Sequence, residues 1–356
     1  MRHAVIMAGG VGVRLWPLSR KDRPKQILRL FAGTSLLRQS YDRVATVLKP
    51  EQIHVITNHS HLPMVTKELP ELPAGNFIGE PAGRDTANAV GLAAAVLAQH
   101  DPEAVIGIFP ADHVITPLDR FCSAVEQAYT AAERNPDALV TMGIRPTRAD
   151  TNYGYIHRGE RVGEGVFEVE QFTEKPSLAA AMKYVAGGEY YWNSGMFAWR
   201  AATILDQIKK HLPQSHAAIR EIATAWKTGA RQAKLESIYP TLMRISIDFA
   251  VLERADRVLV VEMGCHWVDV GSWPAIESVI QADGEGNVSA CGRVIHLGSR
   301  GNIVVSEDKH LIATIGVDDL VIVHSPDATL ICTRRDAAGI KELVDMVRQR
   351  YGDEYA

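Results

Sequence analysis

Ala4-Val5-Ile6-Met7-Ala8-Gly9-Gly10-Val11-Gly12-Val13-Arg14 is the stretch on which the fold turns. The apolar run up to Ala8 reads as a buried strand, and it empties at once into a glycine-rich turn. Glycine has no side chain to keep a ligand away, so such a turn can bring backbone N–H groups close to phosphate oxygens. Arg14, with Lys25 just after Pro24, adds fixed positive charge for the same anion. Ala8, Gly9, Gly10 and Gly12 are therefore candidate nucleotide-binding residues. A glycine turn at a sheet edge with surface bases nearby would fit the same letters. Two familiar glycine loops do not fit. Val13-Arg14-Leu15 lacks the third glycine of the dinucleotide fingerprint, and no Gly-Lys-Ser/Thr closes a P-loop.

Outward from that strand, the first half alternates short apolar runs with helical patterns. The predicted strands are His3–Ala8, Ile53–Thr57, Val105–Phe109 and Leu139–Gly143. Helices are expected at Ser35–Leu48, Thr86–His100 and Leu118–Arg134, with Ser35 and Thr86 as N-caps. Strand–helix alternation implies parallel pairing with right-handed crossovers. The fold class is thus α/β, doubly wound and mostly parallel. From about Asn152 the strands Tyr153–His157, Phe167–Phe172 and Met196–Trp199 interleave with helices at Ser177–Ala186, Ala201–His211 and His216–Trp226. This half reads as a lid or acceptor part set on the first. After Ala282, β-branched runs recur every eight to ten residues: Arg293–Leu297, Ile303–Ser306, His310–Ile315, Leu320–His324 and Thr329–Thr333. They predict a β-rich unit, either a few solenoid coils or a small sheet, closed by a helix over Ala337–Arg350. One boundary near 280 divides a catalytic part, 1–280, from a C-terminal part, 281–356. Exposed β edges on the latter invite self-association.

The chain has 356 residues, room for one large core and a smaller unit. Its net charge of −4 excludes a nucleic-acid binder that works by bulk charge. Arg14, Arg20, Lys21, Arg23, Lys25 and Arg29 do cluster, which suits a small phosphorylated ligand better than a duplex. The four cysteines, Cys122, Cys265, Cys291 and Cys332, are widely spaced and form neither a zinc motif nor a disulfide framework. No stretch approaches the ~18 apolar residues of a membrane span. The N-terminal apolar run is too short for a signal peptide, so a cytoplasmic location is expected, with no membrane partner.

Asp112 follows the run Val105–Phe109, in Pro110-Ala111-Asp112-His113. Ligands of open α/β sheets bind beyond the carboxyl ends of strands, and a carboxylate there can take Mg²⁺ together with substrate phosphates. His113 reads as positional. Asp269, in Trp267-Val268-Asp269-Val270-Gly271-Ser272, is a second carboxylate able to share that ion. Each of the two aspartates also suits a simple turn. Gly79-Glu80-Pro81-Ala82-Gly83-Arg84-Asp85-Thr86 is a polar loop ahead of an Ala-rich helix. Guanine offers adjacent N1–H and N2–H donors, so Glu80 or Asp85 could select it, although Asp85 or Thr86 could equally cap the helix. Tyr153-Gly154-Tyr155, Glu174-Lys175-Pro176 and Asn193-Ser194-Gly195 offer hydrogen-bonding groups beside turns, as a sugar site needs, and Lys175 could meet a phosphate.

Taken together these segments resemble the sugar-nucleotide pyrophosphorylases, most closely the mannose-1-phosphate guanylyltransferases. The likeness rests on Gly9–Ser19 with Pro24-Lys25-Gln26, Gly79–Thr86, Pro110–His113, Asn152–Ile156 and Phe172–Pro176. Trp192–Phe197, Ser246–Val251 and Trp267–Ser272 complete it, in family order, up to about residue 275. The resemblance implies a Rossmann-like nucleotidyltransferase domain that uses Mg²⁺, GTP and mannose 1-phosphate. It implies Arg14 and Lys25 on the nucleotide phosphates, and Asp112 and Asp269 on the metal. It puts Lys175 on the sugar phosphate, and Tyr153, Gly154, Glu174 and Asn193 at the sugar. It gives the base to Glu80, Pro81, Arg84, Asp85 and Thr86, with Asp85 standing where relatives often carry Asn. The C-terminal unit resembles a short β-helical extension used for dimer contacts, so a homodimer is expected. Some relatives carry a fused isomerase domain. This chain stops short of one, so a single activity is expected. A pyrophosphorylase for another sugar 1-phosphate or base, and a non-catalytic sensor of the same fold, are the rival readings. A sensor has no need of paired metal carboxylates. The Asp-x-Asp triplet of a glycosyltransferase does not occur in the chain.

Overall fold

The computed structural model describes residues 1–31 and 33–356. They form two compact units. The first comprises Met1–Gly9, Tyr41–Pro110 and Ile115–Trp267, the second Gly10–Ser40, Ala111–Val114 and Val268–Ala356. This grouping assigns the glycine turn, the lysine after it and Asp112 to the unit of the C-terminal strands. The expectation of one cut near residue 280 did not include that.

Among the described residues, eleven strands precede the C-terminal repeats: β1 (Arg2–Ala8), β2 (Ile53–Asn58), β3 (Phe77–Glu80), β4 (Val105–Pro110), β5 (His113–Thr116), β6 (Leu139–Ile144), β7 (Tyr155–Gly163), β8 (Val166–Thr173), β9 (Tyr190–Arg200), β10 (Val258–Met263) and β11 (His266–Asp269). Nine make one sheet, in the order β3-β2-β1-β4-β9-β6-β10-β8-β7, and β5 pairs with β11. The β3-β2-β1-β4 part is parallel throughout. These strands are buried on both faces, which is why they read as unbroken apolar runs. β9 enters antiparallel between β4 and β6. The second half of the chain is therefore no lid: β7 to β10 continue the same sheet. What misleads is the β7–β8 hairpin, whose half-exposed strands alternate polar and apolar letters where the central strands do not.

Among the helices, Leu118–Arg134 and Ala201–His211 fall where the periodicity puts them. The Ala-rich helix spans Asp85–Ala98 and is buried from Ala87 through Leu97. It packs on the helices Ala201–His211 and Pro213–Thr224, so it carries no polar face. Ser35 caps its helix, its Oγ accepting from Arg38 N–H at 3.0 Å. Thr86 does not cap. The helix begins one residue earlier, Asp85 Oδ1 accepts the Thr86 N–H at 2.9 Å, and the Thr86 hydroxyl takes Ile247 N–H at 2.8 Å.

In the second unit the C-terminal runs stack as coils. β12 (Val288–Ala290), β14 (Ile303–Ser306) and β16 (Leu320–His324) pair in parallel, as do β13 (Val294–Leu297) and β15 (Ile312–Ile315). β17 (Thr329–Thr333) closes the first stack antiparallel to β16. Alternate strands pair because each coil contributes one strand to each stack, which decides for a solenoid over a hairpin sheet. A buried asparagine ladder fixes the coils. Asn302 N and Nδ2 both donate to Asn287 Oδ1 at 3.0 Å, and Asn302 Oδ1 accepts from Leu320 N–H at 3.0 Å. Trp16, Leu18, Val270, Trp273, Val305, Val323 and Ile340 share this unit's core. Cys122, Cys265, Cys291 and Cys332 are unbridged. No described helix is long and apolar enough to cross a membrane.

Candidate functional site

The candidate functional residues divide between the units, and each set is built locally. In the second unit Gly12 has φ 77° and ψ 40°, a left-handed conformation that opens the turn Val13–Leu15. Leu15 N–H and the Ser19 hydroxyl close that turn on Gly12 O at 2.8 and 2.6 Å. Lys25 N–H then returns to Val11 O at 3.2 Å, so the lysine stem lies along the glycine turn. A Cβ on Gly12 would come within 2.5 Å of Lys25 Cβ, whereas one on Gly10 would meet Lys25 Cε at an ordinary 3.5 Å.

The Lys25 ammonium is paired with the Asp112 carboxylate. Burial works against its charge, but Asp112 and Asp269 outweigh that and raise its pKa, while Arg14 opposes them. Burial likewise works against the Asp112 charge, and Lys25 outweighs it and lowers the pKa. Val270 N–H donates to Asp112 O at 3.1 Å, which ties the two aspartate segments together. One ligand atom from each of Asp112, His113 and Asp269 falls within 4.8 Å of the others. Asp269 Oδ1 is buried and has no hydrogen-bond partner among the described residues. A buried carboxylate oxygen left unmatched next to a second carboxylate fits a hard divalent cation, and two carboxylates plus phosphate oxygens are the set Mg²⁺ prefers. Arg14 is exposed on the turn.

The first unit holds the other residues. Glu80 ends β3 at 6 % exposure, and its carboxylate accepts from the hydroxyl of the fully buried Tyr239. Its other oxygen stands 3.4 Å from where a Cβ on Gly9 would be. Burial pushes the Glu80 pKa up, against the Tyr239 hydrogen bond and with help from Asp85, to about 7. Ala8 O is held by the Thr57 hydroxyl at 2.7 Å. Beyond Pro81, the Arg84 guanidinium donates to Pro240 O, and Asn88 Nδ2 donates to Arg84 O and Met243 O at 2.9 and 2.7 Å. Asp85, at φ 65°, lies 3.8 Å from Arg244 and serves its own helix start.

Glu174 and Lys175 pair at 2.5 Å, with Lys175 at φ 48° and largely exposed. Gly154 lies close beside them: a Cβ there would push the Glu174 carboxylate from its present place. Gly154 O accepts from Asn193 N–H at 2.8 Å, so these two segments meet. The Asn193 side chain is pinned: Oδ1 accepts from Thr141 Oγ1 and Gly195 N–H at 3.2 Å, and Nδ2 donates to Asp248 Oδ1 at 2.8 Å. The Tyr153 ring meets Trp192 and Trp267 edge-on, at 5.2 and 5.0 Å.

Tyr239 and Asp248 carried no role in the sequence reading. Asp248 opens a π-helical turn, Asp248–Leu252, a local geometry common at functional sites. Its burial, and then the charge of Glu174, raise its pKa to about 7. A lone carboxylate inside the apolar run Ile247-Asp248-Phe249-Ala250-Val251 was the available signal.

The family model for nucleotidyl transferases matches residues 3–286, and that for the MannoseP isomerase/GMP-like beta-helix domain matches residues 292–347. This chain belongs to the nucleotidyl transferase family. It is an enzyme that transfers a nucleotide. Among the relatives of this nucleotidyl transferase, the mannose-1-phosphate guanylyltransferase of Escherichia coli K12 is 41% identical over 97% of this chain and 73% of that protein. The xanthan biosynthesis protein XanB of Xanthomonas campestris pv. campestris is 38% identical, over 97% of this chain and 73% of that protein. A solved structure described as mannose-1-phosphate geranyltransferase from Thermus thermophilus matches with a TM-score of 0.88 at 36% identity. It covers 98% of this chain and 99% of that one.

Proposed function

We propose that this nucleotidyltransferase is a mannose-1-phosphate guanylyltransferase, joining GTP and α-D-mannose 1-phosphate to give GDP-mannose and pyrophosphate. The observation that carries the reading is the Lys25–Asp112–Asp269 cluster against the Gly12 turn, in a chain whose relatives bear that activity in their names. A sugar-phosphate oxygen forms a bond to the α-phosphorus of GTP in line. The bond from that phosphorus to the bridging oxygen breaks, and pyrophosphate leaves with the electron pair. The nucleophile is already anionic near neutral pH, since its second pKa is ≈ 6, so no general base is needed. Catalysis here is positioning and charge stabilisation. Arg14 and Lys25 hold the triphosphate against the turn of Gly10 and Gly12. Asp112 and Asp269 would hold Mg²⁺, which supplies positive charge to the phosphates when bound. In the first unit Lys175 takes the sugar phosphate, and Tyr153, Gly154, Glu174 and Asn193 the sugar. Glu80 takes the guanine edge, on a loop formed by Pro81, Arg84, Asp85 and Thr86 with Ala8 and Gly9 behind it. GTP and sugar phosphates as substrates assign the reaction to the cytoplasm.

The direct test is pyrophosphate release with Mg²⁺, crossing the four nucleoside triphosphates with mannose and glucose 1-phosphates. Release confined mainly to GTP with mannose 1-phosphate is expected. Activity with another pair would keep the chemistry and overturn the specificity. Silence across the grid with GDP-mannose still bound would favour a sensor.

A homodimer through the solenoid belongs to the same proposal. Ile295, Leu297, Ala313 and Ile315 make an outward apolar row across the paired strands β13 and β15, with Ile315 71 % exposed. A two-fold contact requires a self-complementary patch, and such a row supplies one. Light scattering should give a dimer for the native chain and a monomer for Ile315→Asp. A native monomer at micromolar concentration would end the idea.

A further inference from the structure

The loop Glu80–Asn88 is strapped along its length by a segment 155–161 residues further on in the chain. Tyr239 reaches Glu80, Pro240 O accepts from Arg84, Met243 O from Asn88, and Ile245 O from Ala87 N–H at 3.2 Å, while Ile247 N–H donates to Thr86. The first of these contacts touches the buried carboxylate assigned to the guanine edge. We propose that Tyr239 is the positioning residue for base selection: its hydroxyl orients the Glu80 carboxylate and favours its ionised form, so that the carboxylate accepts the N1–H and N2–H of guanine. The inference rests on the assignment of Glu80 to the guanine edge.

The physical need is plain from the burial. A carboxylate at 6 % exposure loses its water, which favours the neutral acid. A neutral acid would be the wrong reader: its O–H can donate to the N1 of adenine, and one of its oxygens no longer accepts freely. The groups facing Glu80 offer little else to keep it charged. Asp85, from the start of the Ala-rich helix, repels the charge. Asn58 lies beside it on β2, and His59 and His61 stand on the turn packed against β3. Arg84 acts on Tyr239 and is bonded to Pro240 O. The Tyr239 hydroxyl donates a hydrogen bond to this carboxylate, and a hydrogen bond to the charged form favours that form. Tyr239 itself stays protonated, since burial and the neighbouring carboxylate push its pKa well above the usual value.

The test is Tyr239→Phe, which removes one oxygen and keeps the ring, with kcat/KM measured for GTP and for ATP between pH 6 and 9. In the native enzyme the GTP value should fall as pH drops through about 7, because the free enzyme's essential base is being protonated. In Tyr239→Phe that inflection should move up by about one pH unit. GTP-over-ATP preference should drop about tenfold at pH 7 and recover by pH 9, with kcat at saturating GTP little changed. A merely structural loss would lower activity at every pH and show no recovery. Superimposable pH profiles for the variant and the native enzyme would overturn the proposal. Glu80→Gln separates the two levels. If it abolishes the inflection and the GTP preference while Tyr239→Phe changes neither, only the role of Tyr239 fails. If Glu80→Gln leaves both intact, the base assignment fails with it. The melting temperature of each variant checks folding.

Discussion

Asp112→Ala is expected to lower turnover about 10²–10³-fold, the loss seen when one well-placed charge-stabilising group is removed. Asp269→Ala should do the same. The two carboxylates lie close enough to share one cation, and both favour the charge of Lys25, so neither is expected to stand in for the other. The fold should survive both changes, since neither side chain belongs to the apolar core of the second unit. Asp112→Ala removes the carboxylate paired with the Lys25 ammonium and leaves that of Asp269. Some loss of melting temperature is therefore expected there, and a smaller one in Asp112→Asn, which also loses the charge but keeps an acceptor for the lysine. The informative measurement pairs pyrophosphate release with a Mg²⁺ titration. The aspartate variants should need more Mg²⁺ to reach their reduced rate, whereas a variant damaged only in folding would show the native Mg²⁺ requirement. Near-native turnover in either alanine variant would remove the metal assignment.

How far the sequence carries depends on whether a residue's partner is near in the chain or its burial is uniform. β1, β4 and β6 were legible because a strand buried on both faces writes an unbroken apolar run. The helix Ala201–His211 was legible because one of its faces is buried and the other wet. The β7–β8 hairpin was not, since its polar letters and bulged register look like a separate part while its hydrogen bonds continue the sheet. At the candidate site, the letters singled out, Lys25, Asp112, Glu80, Glu174 and Asn193, are polar groups that the structure holds in specific pairs. Their supports were not legible. Tyr239 meets Glu80 across 159 positions and Asp248 meets Asn193 across 55, and no local pattern encodes such a pairing. Thr86 illustrates the opposite error. A threonine ahead of an apolar helix is a fair cap by local rules, but its hydroxyl is claimed by Ile247 from far along the chain.

Gly12→Ala tests a reason for glycine that differs from the one the sequence suggests. Read as letters, the glycines of this turn let phosphate oxygens approach the backbone. In the structure Gly12 answers to two local demands. Its φ of 77° costs an L-residue about 1–2 kcal/mol, and its missing Cβ makes room for the Lys25 stem, whose Cβ, Cγ and Cδ would lie 2.5–2.8 Å from it. Those atoms are the root of the side chain, so relief needs the whole lysine to shift away from Asp112. A displacement near 1 Å at a catalytic group can cost ~10²-fold in rate, and that is the expected loss. Gly10 faces only the far end of the same side chain, at an ordinary contact distance, and does not sit at positive φ. The decisive comparison is a double-mutant cycle with Lys25→Ala. If Gly12 serves the lysine, adding Gly12→Ala to Lys25→Ala should cost little further rate, leaving only the strain in stability. Fully additive rate losses would mean that the Cβ obstructs the triphosphate itself, and the phosphate-approach account of Gly12 would stand.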